Sequence, residues 1–316
     1  MMSAWETTEV VIASGEDAST SPRASRSYWR QSWERLRSNR FAMVSGVVLL
    51  LLAVIAITAP LSSRSVTHYD PAQQDLNHVF AAFSGAHWLG TDELGRDTLT
   101  RLIWGARVSL GIACVTVLLY ILIGGTVGLV AGYYGGLVDE IVMRVVDMLL
   151  SIPAIYLLIL ITSILPLSVG PIRIEHNALS IAFIIAVTSW GGIARLVRGD
   201  ALSVRHRDFV LATRSIGASD ARLILRHVLP NILPVVMVAA SLGVAQVILL
   251  EAALDFIGVG VQPPTSSWGN MLYNSQTYFF HSAALVVLPG ACIALATLAA
   301  NIFGSAVRDA YDPRLI

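Results

Sequence analysis

The residues of this 316-residue chain that could do chemistry are few and widely separated. Glu251 and Asp255 stand four residues apart in an apolar run, so a helix would place both carboxylates on one face, where they could line a polar path or hold a neighbouring backbone. His68, His78 and His87 share one polar stretch, but their irregular spacing is not that of a metal site. A G-x-S-x-G nucleophile turn is absent from the sequence. The sequence therefore predicts no catalytic residues, no metal and no cofactor in this chain.

Lysine is absent from the chain, and all 21 basic residues are arginine. A phosphate-binding P-loop ends in a lysine, so this chain cannot carry a standard one. If ATP drives the protein, a separate ATPase chain must bind the ATP and its magnesium ion. The formal net charge is zero, which gives no reason to expect nucleic acid as a partner.

The composition indicates a membrane protein, with 55% hydrophobic and only 13% charged residues, against about 25% charged in a soluble domain. Six apolar runs are long enough to cross a hydrocarbon core of about 30 Å. They cover residues 41–61 and, approximately, 104–132, 142–165, 179–197, 233–260 and 283–307. In the second run, Gly124, Gly128 and Gly132 are four residues apart, which predicts close approach of a neighbouring helix. The predicted fold class is an all-α membrane protein with six transmembrane helices.

The placement of arginine predicts how these helices are oriented. Sixteen of the 21 arginines fall in segments that would share one side of the membrane, and five fall on the other side. Because basic residues are enriched on the cytoplasmic side, both termini are predicted to be cytoplasmic. The predicted units are a tail with a basic amphipathic end (1–40), a first span (41–61), an outer segment (62–103), a five-helix core (104–307) and a tail (308–316). The core contains an inner loop (199–229) and an outer loop (261–282).

The inner loop has the pattern of two helices joined by a glycine turn. Its many charged residues could not lie in lipid. Four apolar or small residues nevertheless recur at helical spacing: Phe209, Ala212, Thr213 and Ile216. Gly217 stands where a helix C-cap glycine belongs, and Ser219 with Asp220 offers an N-cap for the second helix. A short helix with one apolar face is suited to docking into a groove of a soluble partner.

This loop resembles the EAA motif of ABC-importer permeases: Glu-Ala-Ala, three residues, Gly, nine residues, then Ile-x-Leu-Pro. The residues that match in register are Ala212, Gly217, Leu229 and Pro230. Leu211, Thr213 and His227 stand where the motif has its glutamate, second alanine and isoleucine. The resemblance implies that the loop contacts an ATPase chain. The residues it assigns to this contact are Asp208, Phe209, Ala212, Thr213, Ile216, Gly217, Ala218, Leu229 and Pro230.

Two further blocks, at residues 87–110 and 251–272, resemble the second permease subunit of dipeptide, oligopeptide and nickel importers. The resemblance implies a type I importer permease fold in the bacterial cytoplasmic membrane. It also implies a heterodimer with a homologous permease, two ABC ATPase subunits that bind ATP and magnesium, and an extracytoplasmic solute-binding protein. The permease itself would form half of the translocation path.

Residues near the predicted outer face are also candidates for function. Glu251 and Asp255 are predicted to line the path, where they would meet the cationic end of a peptide. The alternative is a structural carboxylate that holds a neighbouring backbone or pairs with an arginine; this is the favoured interpretation for Glu251, and Asp255 is the better candidate for substrate contact. Residues 267–272 are predicted to form a short helix, with Trp268 among the lipid headgroups. Trp268 and Asn270 would then help to shape the docking surface for the binding protein. Nickel and glutathione remain alternative substrates, and a stand-alone secondary transporter is a more remote alternative.

Overall fold

The computed structural model describes residues 28–165, 167–169, 172–174, 177–273 and 275–311. The outer parts of the two predicted tails, residues 1–27 and 312–316, lie outside these residues. The longer helices are α1 (Tyr28–Ser38), α2 (Arg40–Ser62), α3 (Thr98–Tyr134), α4 (Gly136–Ser151), α5 (Ala154–Ser163), α6 (Ala178–Arg205), α7 (Asp208–Ser215), α9 (Leu229–Ile257) and α11 (Ala284–Tyr311). Two helices of a single turn are α8 (Asp220–Leu223) and α10 (Ser275–Tyr278).

Five of these helices, α2, α3, α6, α9 and α11, are long and apolar enough to cross a membrane. The pair α4 and α5 provides a sixth crossing if it counts as one span, although its two halves meet at 82°. The break falls at Ile152 and Pro153, since proline has no N–H to donate and clashes with the preceding turn. The predicted helical membrane fold is confirmed, with the third span strongly bent.

One element was not predicted. A short antiparallel hairpin between α5 and α6 pairs β1 (Leu167–Val169) with β2 (Ile172–Ile174). Strands of three residues carry too little alternation to be distinguished from a loop in the sequence.

Two of the spans are longer than their apolar runs. Helix α3 begins at Thr98, within the predicted outer segment, because the Asp97 carboxylate accepts the Thr100 N–H at 2.8 Å and caps the helix. Helix α6 continues to Arg205, within the predicted inner loop, where the guanidinium donates to the Tyr133 carbonyl at 2.7 Å. A charged side chain that binds backbone groups at each of these ends lets the helix extend beyond the apolar core.

Close packing of α3 against α6 forms the centre of the bundle. Gly124, Gly128 and Gly132 are all buried, and a Cβ at each position would overlap backbone atoms of α6. The predicted close approach of a helix to this glycine face is therefore confirmed. Helix α9 packs on both α3 and α6, while α2 and α11 complete the outer side of the bundle.

The loops gather at the two ends of this bundle. At one, the Asp92 end, residues 63–97 lie near the start of α3, and Phe80 stacks on His281 with the ring centroids 4.8 Å apart. At the other, the Gly217 end, residues 206–228 form a compact segment, named here the Gly217 loop. Its buried side chains pack on Leu129, Tyr133 and Val197 of α3 and α6. Helix α3 thus runs from one loop region to the other.

The α3–α6 contact predicts opposite effects for two neighbouring glycines. Gly128→Ala should lower the thermal unfolding midpoint of the detergent-purified protein, because its methyl group would overlap Ala194 of α6; overpacking of this kind costs about 1–3 kcal/mol. Gly125→Ala is the matched control, since a Cβ there meets no atom within 4 Å. Its midpoint should stay the same or rise, as alanine favours helix by about 1 kcal/mol. Equal midpoints for the two variants would contradict the packing described.

Candidate functional site

The Gly217 loop contains the helix, glycine turn and helix that the sequence predicts. Helix α7 ends at Ser215, and Gly217 follows with a φ of 88°, in the left-handed region. The Ala218 N–H donates to the Thr213 carbonyl at 3.3 Å, and the Gly217 N–H to the Arg214 carbonyl at 3.0 Å. These two bonds are those of a Schellman motif. The space around Gly217 is open, so it is the backbone conformation that favours glycine here.

The apolar side chains of the loop divide into two sets. Those that face the bundle and are buried are Val210, Leu223 and Val228. Those that face away from it are Phe209, Leu211, Ile216 and Leu225, and Ile216 is 85% exposed. An exposed group of large apolar residues on an otherwise charged segment is typical of a protein contact surface.

All the residues that the EAA-like pattern assigns to an ATPase contact fall on this loop or on the first turn of α9. The exposed ones are Asp208, Phe209, Ala212, Ile216, Gly217 and Pro230, and the partly buried ones are Thr213, Ala218 and Leu229. Ser219 occupies the N-cap position of α8, but its side chain makes no capping bond. The contact itself stays a prediction.

Polar contacts attach the Gly217 loop to the end of α3. The Tyr133 hydroxyl donates to the Asp220 carboxylate at 2.6 Å and accepts from the Arg214 guanidinium at 2.9 Å. Arg205 donates to the Gly132 and Tyr133 carbonyls at 3.3 and 2.7 Å. Tyr133 lies outside the EAA-like pattern, and no signal in the sequence singles it out.

At the Asp92 end, the two carboxylates of α9 bind groups of the protein itself. Asp255 accepts the Val261 N–H at 2.6 Å and the Ser267 hydroxyl. Glu251 is fully buried and accepts the Ser109 hydroxyl of α3 at 3.2 Å. These contacts favour the structural alternative, in which the carboxylates hold residues 258–272 against α3 and α9. Their predicted place along a path stays a prediction.

Trp268 lies in the core and not among lipid headgroups, so that expectation is wrong. The residue is 1% exposed, and its indole N–H donates to the Leu102 carbonyl at 3.0 Å. The predicted helix at 267–272 is reduced to one 3-10 turn, Asn270–Leu272, because Trp268 turns inward to pack on Gly105. Asn270 is half-buried and donates to the Thr265 carbonyl at 2.7 Å. A partner that docks here would contact the surface of residues 267–272 and not the buried indole ring of Trp268.

A buried charge network that sequence reasoning missed joins the segments at the Asp92 end. Asp92 accepts from Arg96 Nε at 2.7 Å and also pairs with Arg101 of α3. Arg101 Nε in turn donates to the Ser266 hydroxyl at 3.2 Å. The four-residue spacing of Asp92 and Arg96 hints at their pair, but the link to Ser266 has no counterpart in local sequence.

A cavity of about 940 Å³ opens between α3, α5, α6, α9 and α11. Most of its lining is apolar, and the polar side chains along it are Tyr120, Ser189, Asp200, Gln246, Arg308 and Tyr311. Glu251 and Asp255 are not part of the lining. No local pattern in the sequence predicts this cavity, because its walls come from five separate helices.

A bundle of membrane-spanning helices with a structured, charged loop between two spans is typical of a membrane transport permease. Residues 124–316 match the family described as binding-protein-dependent transport system inner membrane component, and residues 27–82 match the N-terminal transmembrane domain of oligopeptide transport permease C. The chain belongs to this family of inner-membrane permeases, as the EAA-like loop predicted. It is therefore a multi-pass protein of the bacterial inner membrane, and the family works with ATPase and solute-binding components.

Similar proteins cover nearly the whole chain. The dipeptide transport system permease protein DppC of Alkalihalophilus pseudofirmus is 38% identical, over 91% of this chain and 90% of the relative. OppC, the oligopeptide transport system permease of Bacillus subtilis, is 34% identical over 97% and 96%. GsiD, a glutathione transport system permease of Pectobacterium atrosepticum, is 35% identical over 92% of both chains. A solved inward-facing structure of the MetNI methionine ABC transporter shares the fold, with a TM-score of 0.51 and 22% identity over 66% of this chain and 96% of that chain.

The contacts of Asp255 predict a loss of stability when its carboxylate is removed. Asp255→Ala leaves the Val261 N–H and the Ser267 hydroxyl without this acceptor, and each buried unsatisfied group costs about 1–3 kcal/mol. The thermal unfolding midpoint of the purified protein should fall clearly. Phe256→Leu, at an exposed neighbouring position of α9, should leave it nearly unchanged. A wild-type midpoint for Asp255→Ala would show that the carboxylate does not hold this segment.

Proposed function

We propose that this chain is a non-catalytic permease subunit of an ABC importer for dipeptides or oligopeptides. It supplies half of the translocation path and is driven by ATPase subunits on other chains. The observation that carries the proposal is the Gly217 loop, a charged segment between two spans that keeps large apolar side chains exposed. Glutathione is the alternative substrate supported by the GsiD relative, and nickel is a further one.

The Gly217 loop is suited to bind an ATPase subunit. Its turn is fixed by two backbone hydrogen bonds, so little conformational entropy is lost when a partner binds. Phe209 near the start of α7 and Ile216 just after its end are both exposed, and both side chains would fit a groove by helix-in-groove packing. Arg207 lies on the exposed surface, where it would pair with acidic residues at the groove rim. The loop would take this role although Leu211 stands where the EAA motif has its glutamate.

The proposed assembly contains a homologous permease as heterodimer partner, two ATPase subunits that bind ATP and magnesium, and an extracytoplasmic solute-binding protein. The Gly217 end faces the cytoplasm in this arrangement, together with both termini, as the arginine distribution favours. The Asp92 end then faces the binding protein. Residues 266–272, including Asn270, lie at that end and would form part of its docking surface.

The cavity between α3, α5, α6, α9 and α11 is the part of the path that this chain would supply. It combines an apolar wall with a few polar groups, such as Ser189 and Gln246, a lining that accepts peptides of varied side chains without binding one tightly. The second permease would close its open side. Substrate selection is then left mainly to the binding protein.

The conformation of Gly217 provides a test of coupling. Gly217→Val should leave the importer assembled and able to hydrolyse ATP but lower solute uptake about tenfold or more, because a left-handed backbone costs an ordinary residue about 1–2 kcal/mol and a β-branched one more. Gly217→Asn should keep most of the uptake, since asparagine tolerates this conformation. Uptake and ATP hydrolysis would be measured in proteoliposomes. Normal coupling in Gly217→Val would count against the role of the loop.

Cross-linking tests the contact directly. In a variant whose native Cys114 and Cys292 are replaced by serine, Ile216→Cys should form a covalent adduct with an ATPase subunit that carries a cysteine along its permease-binding groove. Phe280→Cys is the control, because this exposed residue lies at the Asp92 end and should give no adduct. Absence of an adduct from Ile216→Cys in an assembled, active importer would refute the docking of this loop.

A further inference from the structure

We propose that the Tyr133 hydroxyl is the positioning group that fixes the Gly217 loop to α3, so that movement of a docked ATPase is passed to the α3–α6 pair. The inference rests on the proposed function, because it concerns how the contact between loop and ATPase is used. Tyr133 stands next to the last residue of α3 and outside the EAA-like segment. It touches neither ATPase nor solute in this proposal and acts only through the loop.

The hydroxyl of Tyr133 lies between the two helices of the loop. The side chain is buried, with 3% of the residue exposed. It donates to Asp220 at 2.6 Å and accepts from Arg214 at 2.9 Å. Arg214 belongs to the last turn of α7 and Asp220 to the first turn of α8. One phenol therefore holds the chain on both sides of Gly217.

The direct ion pair between Arg214 and Asp220 does not provide the same restraint. Their charged atoms are 3.5 Å apart, and both side chains are 52% exposed, so such a pair contributes little in water. The phenol is buried and uses its single donor on one partner and an oxygen lone pair on the other. The guanidinium of Arg214 also lies 5.5 Å from the centre of the Tyr133 ring, within cation–π distance.

Tyr133 is itself held by α6. Arg205 donates to the carbonyls of Gly132 and Tyr133, which satisfies acceptors that the end of a helix leaves free. The same guanidinium fills the space beside Gly135, where the chain leaves α3. The glycine contacts then bind α3 to α6 along its inner half. Displacement of the Gly217 loop by a docked ATPase would therefore move α3 and α6 together and would not merely rotate one side chain.

The test uses the complete importer in proteoliposomes, with radiolabelled dipeptide as the probe, and measures solute accumulated per ATP hydrolysed. Tyr133→Phe should retain ATP hydrolysis while this ratio falls roughly tenfold or more, because the variant loses both hydrogen bonds of the phenol and both partners are charged. Tyr134→Phe is the matched control: Tyr134 is half exposed and makes no hydrogen bond with the described residues. Its ratio should equal that of the wild type.

A purely structural tyrosine would give a different result. Tyr133→Phe would then lower the yield of assembled importer, or lower hydrolysis and uptake together, and an unchanged ratio would overturn the proposal. Asp220→Ala should lower the ratio as well, and adding Tyr133→Phe to it should bring a clearly smaller loss than in the wild-type background, since the contact between Tyr133 and Asp220 is then already absent. Fully additive losses would likewise overturn it.

The Ile216→Cys cross-link separates failure of this inference from failure of the proposed function. An adduct that persists in the Tyr133→Phe background, together with a wild-type ratio, would overturn the role of the tyrosine alone. If Ile216→Cys gives no adduct even when Tyr133 is present, the loop does not contact the ATPase. The proposed function and this inference then both fail. An adduct that persists while the ratio falls is the expected result.

Discussion

The contact between α3 and α6 determines where the two loop regions of this permease lie. Three glycines let the backbones of these helices approach more closely than any side chain would allow. In a bilayer there is little hydrophobic gain from helix association, so close van der Waals contact of this kind provides much of the stability. Because α3 reaches from Thr98 to Tyr134, segments attached to its two ends are connected through one rigid pair of helices.

The two ends of α3 are attached by different chemistry. At the Asp92 end, buried charges and carboxylates bind Arg101, Ser109 and the segment that contains Trp268. Such buried groups are costly to leave unpaired, so this end resists local change. At the Gly217 end the contacts are fewer, partly exposed and centred on one phenol. This difference suits a permease in which one end receives a binding protein and the other follows an ATPase.

Local features of the sequence predicted much of this arrangement. Gly217 with its turn and the glycine face of α3 depend on a few neighbouring residues, and the structure contains both. The burial of Trp268 and the link between Arg101 and Ser266 were missed, because their partners stand 165 or 166 residues away in the chain. The contacts of Tyr133 with Arg214 and Asp220 were missed for the same reason, since these partners stand 81 and 87 residues away.

The most direct measurement of the central claim is solute uptake by proteoliposomes that contain this chain with and without its partners. With the partner permease, both ATPase subunits and a dipeptide-loaded binding protein, the account predicts uptake that requires ATP hydrolysis. Without the ATPase subunits it predicts none. Uptake by this chain alone would contradict the account, since it would make the chain a stand-alone transporter and leave the Gly217 loop without a function.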